Sequence, residues 1–372
     1  MKIVFTGGGT AGHIFPIIAI IREMRRINPS ADFQFFYVGP NDKFVKNLFA
    51  DEGVEVRIIS AGKIRRYFSL KNIIDIFFKI PFGFFQAFYH IFVISPDLVF
   101  SKGGYGSVPV VFASWLLLVP IFIHESDSSP GLANRIASRF ALEIFISFPV
   151  EKTLYFPSDK MISVGNPVRE MILKGPKKDP KKILSLTGEK PVLLFLGGSQ
   201  GAQRMNDEIL SNLSGFLESF EVIHQTGREN FEEVVKESKV MIKKGLEKYY
   251  HPFSFLNEIE LAAALKVSDI VVSRAGAGAI FEIAAAGKPS ILVPLENSAQ
   301  DHQIKNAYAF AETGAALVIE DPNFKSHFLL RRIKQIFKQP RKLKEMALRA
   351  KEFSNPDAGR IIAEYIIAYL ER

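Results

Sequence analysis

The sequence predicts an α/β protein of two domains, each a parallel sheet flanked by helices. Three observations lead there. Residues 2–5, Lys-Ile-Val-Phe, are a short apolar run that passes into Thr6-Gly7-Gly8-Gly9-Thr10-Ala11-Gly12-His13, after which Ile14, Ile17, Ile18 and Ile21 recur at helical spacing. That pattern is a buried strand, a glycine turn and a helix. It returns at 191–206 as Pro-Val-Leu-Leu-Phe-Leu, then Gly197-Gly198-Ser199-Gln200-Gly201-Ala202, then a helix through Met205 and Ile209. Two such openings, one domain length apart, mean two domains that each start afresh. Finally, 372 residues is long for a single core.

The remaining elements follow the same alternation. In the first half, strands are expected at 33–38, ended by Gly39-Pro40, and at 54–60. A strand at 97–100 leads into Ser101-Lys102-Gly103-Gly104-Tyr105-Gly106-Ser107, and one at 121–123 leads into His124-Glu125-Ser126-Asp127. Residues 167–190 hold Pro167, Gly175, Pro176, Pro180 and six lysines, and read as an interdomain linker. In the second half, strands are expected at 221–225, at 270–273 before Arg274-Ala275-Gly276-Ala277-Gly278, and at 290–294. A helix at 279–286 is stopped by Gly287 and Pro289. A polar loop at 296–303 precedes a helix at Asn306, and two amphipathic helices, 341–353 and 356–371, follow.

Composition narrows the function. A hydrophobic content of 48% excludes a disordered chain. The absence of cysteine excludes disulfides, zinc–thiolate sites and cysteine nucleophiles. The net charge of +8 favours anionic partners such as nucleotide phosphates or acidic lipid; nucleic acid is not expected. No n-region or cleavage site marks a signal peptide. No apolar run reaches the ~20 charge-free residues of a spanning helix.

The strand-end loops carry the chemistry, because sites in open parallel sheets lie there. Gly7-x-Gly9-x-x-Gly12 satisfies a dinucleotide fingerprint, yet the second strand ends in Val38-Gly39-Pro40-Asn41, with the nearest acid, Asp42, beyond the proline. Gly12 is followed by His13 and not by Lys-Ser/Thr, so a P-loop is excluded. An anion site at a helix start and a plain tight turn both remain. His13 suits either a proton acceptor or a residue that orients the loop. Glu125 and Asp127, at a strand end, suit hydroxyl binding or base work; Asp127 equally suits capping of the helix near Pro130. Glu282 is placed to accept from a diol, or merely to favour its helix start. Arg169 offers a phosphate-matching fork, or is a surface arginine. Neither Asp-x-Asp nor His-Glu-x-x-His occurs, so no metal and no cofactor are expected.

Taken together, Gly7 to His13, Gly103 to Ser107, His124 to Asp127 with Pro130-Gly131-Leu132-Ala133-Asn134, Gly165 to Arg169, Gly197 to Ala202, Arg274 to Ala277, Glu282 and Asp301-His302-Gln303 with Asn306-Ala307 resemble the MurG family. These bacterial transferases move N-acetylglucosamine from UDP-GlcNAc onto lipid I to give lipid II. The resemblance implies a GT-B fold, two Rossmann-like domains facing across a cleft. Residues 1–166 with 347–372 would take the acceptor and the membrane, and 191–346 would take UDP-GlcNAc. It implies catalytic work by His13, Glu125 or Asp127. On the donor side it implies contacts from Thr10, Ala11, Gly12, Asp127 and Arg169. Ser199, Gln200 and Gly201 would meet the diphosphate, and Leu256 or Ile259 the uracil. Ala277, Gly278, Glu282, His302 and Gln303 would meet the ribose and sugar. Gly103, Gly104, Tyr105, Gly106 and Asn134 would form the acceptor loops. Many members carry Gln-Asn where this chain has Ser126-Asp127, and an ionised Asp127 accepts hydrogen bonds without donating.

Arg65, Arg66, Lys71 and Lys79 are interleaved with Phe68, Ile73, Ile74, Phe77, Phe78, Phe82, Phe84 and Phe85. Such a basic, aromatic segment suits a bilayer surface, although a core helix pair would also be rich in phenylalanine. Asp75, Lys79, Gln86 and His90 argue against spanning. With the resemblance, Phe77, Phe78, Phe82 and Phe85 are expected to meet an anionic membrane, at the cytoplasmic face of the bacterial inner membrane. The alternatives are another UDP-sugar transferase acting on a glycolipid, a UDP-GlcNAc 2-epimerase, and a nucleotide-sugar-binding scaffold.

Overall fold

The structure, a computed structural model, describes residues 1–8, 11–62, 75–150, 155–197, 203–296 and 298–372. The chain divides into two compact units, Met1–Pro167 with Pro356–Arg372, and Val168–Asn355.

The first unit is built on seven parallel strands: β1 (Lys2–Thr6), β2 (Gln34–Gly39), β3 (Glu55–Ile58), β4 (Leu98–Ser101), β5 (Ile121–Glu125), β6 (Glu143–Ile146) and β7 (Met161–Ser163). Their order in the sheet is β3-β2-β1-β4-β5-β6-β7. Helices α1 (Ala11–Ile27), α2 (Lys43–Asp51), α3 (Ile80–Ile94), α4 (Val108–Leu116) and α5 (Leu132–Ala137) connect them. Side chains alternate across the pleat, and both faces are covered. Ile3, Phe5, Leu98, Phe100, Phe122 and Phe145 share one core with Ile14, Ile17 and Ile21 of α1. Val4, Val38, Val99, Ile121, Ile123 and Ile144 share the other with Ala87 and Ile91 of α3 and Val110 of α4. Burial on both faces is why these strands read as unbroken apolar runs. The chain's last helix, Ala358–Leu370, adds Ile362, Ala363, Ile366 and Ile367 to the α1 side.

Helix α3 is apolar on nearly every side, with only Gln86 and His90 to break the pattern, so pattern alone cannot orient it. A single glycine does. A Cβ on Gly83 would lie 1.8 Å from the Ser60 carbonyl oxygen, so only glycine lets the helix seat against the end of β3. Gln86 accepts from the Ser60 N–H (2.7 Å) and His90 hydrogen-bonds the Ile58 backbone, which satisfies the polar residues of that face. Phe82, Phe85, Tyr89 and Phe92 are left on the outside. Among the described residues no helix is long and apolar enough to cross a membrane.

The second unit has six parallel strands: β8 (Val192–Leu196), β9 (Glu221–Gln225), β10 (Tyr250–Phe253), β11 (Ile270–Ser273), β12 (Ser290–Leu292) and β13 (Ala316–Val318), in the order β10-β9-β8-β11-β12-β13. Its helices are α6 (Glu170–Lys174), α7 (Pro180–Ile183), α8 (Gln203–Ser211), α9 (Leu213–Leu217), α10 (Phe231–Met241), α11 (Glu258–Val267), α12 (Ala277–Ala285), α13 (His302–Ala311), α14 (Ser326–Phe337) and α15 (Pro340–Phe353). The boundaries differ from those expected. Residues 168–190, expected as a linker, belong to this unit, because α6 and α7 pack on α11 and bury Ile172 and Leu184. Residues 347–355 belong here too, because α15 is continuous and buries Met346 and Ala350 in this unit's cores.

In each sheet the winding reverses beside the first strand of the unit, between β1 and β4 and between β8 and β11. Crevices beyond the carboxyl ends of strands form at such switch points. Both glycine turns of the sequence leave from these places.

Candidate active site

In the first unit the switch point is lined by the loops after β1, β4 and β5. Gly103 and Gly104 have φ of +81° and +85°, the left-handed region. A Cβ on Gly103 would lie 2.7 Å from the Asn134 carboxamide, and one on Gly104 2.8 Å from Gly8 Cα. The two glycine loops therefore touch backbone to backbone, and larger residues would separate them. Tyr37, buried beneath, donates to the Gly7 carbonyl (3.0 Å). His13, in the first turn of α1, lies half-buried over Gly8; a Cβ there would be 3.1 Å from its Cε1 and Nδ1. Pro16 withholds the amide that the Gly12 carbonyl would otherwise receive, which loosens that turn. Gly12 and Tyr105 are exposed, and Gly106 is buried against Pro40. Thr10 lies outside the described residues, as does the side chain of Ala11.

Glu125 is buried and accepts three hydrogen bonds: from Asp127 N (2.9 Å) and Gly131 N (3.2 Å), and from Asn134 Nδ2 (2.9 Å). Burial, with the charge of Asp127, pushes its carboxyl up to about 7, against the bonds from Asp127 N and Asn134 and, least of the three, the charge of Lys102. Asp127 is half-buried in the loop that these bonds fold. His124 is fully buried, and burial holds its imidazole well below the usual range. Its Nε2 pairs with the Gly165 carbonyl (3.1 Å) and lies 3.2 Å from Ser147 Oγ. The neutral ring thus carries its proton on Nε2, an assignment made from the partners. Thr6 Oγ1, His124 Nδ1 and Asn134 Oδ1 are buried without hydrogen-bond partners beneath these loops. Orphaned polar atoms of this kind are rare in a folded protein and mark places built for something other than packing.

Sequence reasoning passed over Lys102. It directly follows β4 and is only 2% exposed; its Nζ donates to Ser126 Oγ, which donates to Asn166 Oδ1 (2.8 Å). The signal was present in the chain: a lysine set between a fully buried strand and a glycine pair has no easy route to solvent.

In the second unit Arg169 and Glu282 meet. Arg169 is the N-cap of α6 and 3% exposed; its Nε (3.0 Å) and Nη2 (2.7 Å) both donate to Glu282 Oε1. The second oxygen, Oε2, receives neither. The expected roles of phosphate ligand and diol ligand are therefore joined in one ion pair. Ala277 and Gly278 open α12 behind Gly276, one turn and more before Glu282. The loop beneath is held by Arg274, which pairs with Asp321 and donates to the Val293 carbonyl (3.2 Å). Leu256 is 1% exposed and its N–H donates to Gln225 Oε1 (3.2 Å), so its side chain is core; Ile259, 50% exposed, presents its side chain on the first turn of α11. Gln303 accepts from Leu295 N (3.0 Å) and His302 Nδ1 donates to the Ala299 carbonyl (2.6 Å), across a bend where Gln300 and Asp301 have positive φ. Both thus shape the 295–301 loop. Ser199, Gln200 and Gly201 lie outside the described residues. Among the described residues no group of three or more His, Cys, Asp or Glu could hold a metal ion.

Comparison with known proteins agrees with this arrangement. The N-terminal domain of glycosyltransferase family 28 matches residues 3–146, and its C-terminal domain matches residues 192–360. The UDP-N-acetylglucosamine--N-acetylmuramyl-(pentapeptide) pyrophosphoryl-undecaprenol N-acetylglucosamine transferase 2 of Bacillus cereus is 39% identical over 98% of this chain and 99% of its own. The corresponding transferase of Clostridium botulinum is 38% identical over 90% of this chain and 91% of its own. The crystal structure of Acinetobacter baumannii MurG superposes with a TM-score of 0.73 at 24% identity, covering 99% of both chains. A UDP-GlcNAc 2-epimerase from Neisseria meningitidis superposes with 0.70 at 15% identity, covering 99% of this chain and 100% of its own. These two likenesses bear on the fold, which is GT-B with two Rossmann-like domains. Identity of 38–39% across nine-tenths or more of both chains places the protein in the MurG family, the UDP-N-acetylglucosamine–N-acetylmuramyl-(pentapeptide) pyrophosphoryl-undecaprenol N-acetylglucosamine transferases.

Proposed function

We infer that the protein transfers N-acetylglucosamine from UDP-GlcNAc to the 4-hydroxyl of the muramyl sugar of lipid I, giving lipid II for peptidoglycan. The observation that carries this is the 39% identity, over 98% of the chain, to a Bacillus cereus enzyme whose name states both donor and acceptor. In this reading the muramyl oxygen attacks C1 of the donor sugar in one displacement. The new C1–O bond forms as the bond from C1 to the phosphate oxygen breaks, the configuration at C1 inverts to give a β-1,4 linkage, and UDP leaves. The hydroxyl proton passes to His13 or Asp127. Glu125 is set aside as base, because three donors already occupy its oxygens and hold it in the loop.

Glu282 Oε2 accepts from the ribose diol while Arg169 fixes Oε1. The growing diphosphate charge falls to the start of α8, where N–H groups and a dipole favour anions without a metal. The membrane reading rests on an exposed aromatic face. Phe78, Phe82 and Phe85 are 68%, 60% and 67% exposed, and the face runs on through Tyr89 and Phe92. Phe84 bridges it to Phe112 (5.5 Å), which packs on Trp115 of the same helix, α4. Phe77's side chain and residues 63–74, with Arg65, Arg66 and Lys71, lie outside the described residues. Contiguous exposed aromatics of this kind mark an interaction surface, and a lipid-borne acceptor supplies the reason for one at the cytoplasmic face of the membrane.

The test is turnover of labelled UDP-GlcNAc with and without a lipid I analogue. UDP release that depends on the analogue, with label in a lipid-linked disaccharide, is the expected result. Epimerised sugar, or transfer only to other glycolipids, would replace this reading with one of the alternatives.

A further inference from the structure

Lys102 sits where a lone cation is costly. Its side chain is buried behind β4, its N–H donates to the Thr6 carbonyl (2.8 Å), and its Nζ donates to Ser126 Oγ. Ser126 lies between Glu125 and Asp127. The titratable groups around the ammonium come from three places. β5 supplies His124 and, at its end, Glu125, and the loop after it supplies Asp127. From α1 comes His13, on the far side of Gly7, whose position lies against both side chains. The α5 residue Asn134 and the Gly165–Asn166 turn after β7 are uncharged. One buried cation therefore faces two carboxylates.

We propose that Lys102 is a positioning residue for acceptor transfer: the counter-cation that keeps Glu125 a carboxylate, so that Glu125 accepts its three bonds and holds Asp127 and residues 126–131 in place. The proposal rests on the transferase reading above for its kinetic consequence, and on the buried Lys102–Ser126 contact and the three bonds to Glu125 for its structural one. A protonated Glu125 has one oxygen that must donate, and it could not accept from Asp127 N, Gly131 N and Asn134 Nδ2 with the same geometry. Burial drives the Glu125 carboxyl up and the Lys102 ammonium down, and each charge offsets part of the other's shift, beside the bonds from Asp127 N and Asn134 that do the same for Glu125. Without the cation, Glu125 takes up its proton at a higher pH. The loop then loses its anchor at neutral pH and regains it under alkaline conditions.

The experiment compares the full-length parent with Lys102→Met and Lys102→Arg across pH 6–9.5, using UDP-GlcNAc and a soluble lipid I analogue. In Lys102→Met the acid limb of kcat/KM for the acceptor is expected to move up by about one pH unit, with donor KM little changed. Lys102→Arg, which keeps a charge, is expected to restore the limb. A uniform loss at every pH, or an unmoved limb, would overturn the proposal. A thermal-unfolding cycle with Glu125→Gln and the double variant Lys102→Met/Glu125→Gln serves where the single variant fails to fold. The double variant is expected to unfold at a higher temperature than Lys102→Met, because removing both charges leaves neither stranded. Strictly additive losses would overturn the pairing. A parent that does not transfer to lipid I would overturn the function reading, whereas the unfolding cycle bears on Lys102 alone.

Discussion

Arg169 and Glu282 are 113 positions apart, and their contact changes what each can do. A fork whose Nε and Nη2 both end on one carboxylate oxygen is committed to it. Arg169 then acts on the donor through Glu282, by fixing which oxygen remains for the ribose. Glu282→Ala is expected to lower kcat/KM for UDP-GlcNAc by roughly 5- to 150-fold, since two diol bonds are worth ~1–3 kcal/mol together. Arg169→Lys is expected to lose a comparable part of it, because a single ammonium cannot hold the carboxylate by a planar fork. Donor kinetics unchanged in Glu282→Ala, with melting also unchanged, would remove the pair from the site. Glu282 was legible from its place behind a glycine turn. Its partner was not, because nothing local marks a pairing across that separation. Lys102 was hidden for a related reason: its burial depends on β5 and the turn after β7, neither adjacent to it in sequence.

At the scale of elements, α3 shows what periodicity can and cannot give. Apart from Gln86 and His90, which turn toward the end of β3, this helix has no polar face to point outward, so its location was legible and its orientation was not. Gly83 against Ser60 decides the orientation and turns Phe82 and Phe85 to the outside; Phe78, just before the helix, is exposed as well. The triple change Phe78→Ser, Phe82→Ser and Phe85→Ser is expected to leave the melting temperature nearly unchanged. It is expected to weaken binding to anionic vesicles by about tenfold or more at any salt, given ~1 kcal/mol or more per buried aromatic. Lys79→Gln should matter only at low salt, where screening is weak. Sedimentation of the triple variant as complete as the parent's would place the docking surface elsewhere. The short strands β6, β7, β10 and β13 escaped the sequence reading. Each is only three or four residues long, and β7, β10 and β13 sit at sheet edges or ends where the apolar run is weakest.

For the molecule as a whole, both glycine turns predicted both sheets, and the reversal of winding beside β1 and β8 explains why. The first strand of each unit is central, buried on both faces, and therefore the clearest in the chain. Interior boundaries were less legible, because lysine-rich α6 and α7 present a polar surface while burying only Ile172 and Leu184. Transfer is expected to survive exhaustive EDTA treatment, because helix-start N–H groups can take the charge of the leaving diphosphate. Complete loss, restored by Mg²⁺ or Mn²⁺, would overturn that account.

The last helix has a consequence for how the protein is made. Ile362, Ala363, Ile366 and Ile367 finish a core begun by Ile3 and Phe5, yet residues 168–355 must leave the ribosome in between. At ~5–20 residues per second that interval is roughly 10–40 s. Throughout it, the α1 side of the first unit lacks these four residues, so that core can close only after residues 168–355 have been made.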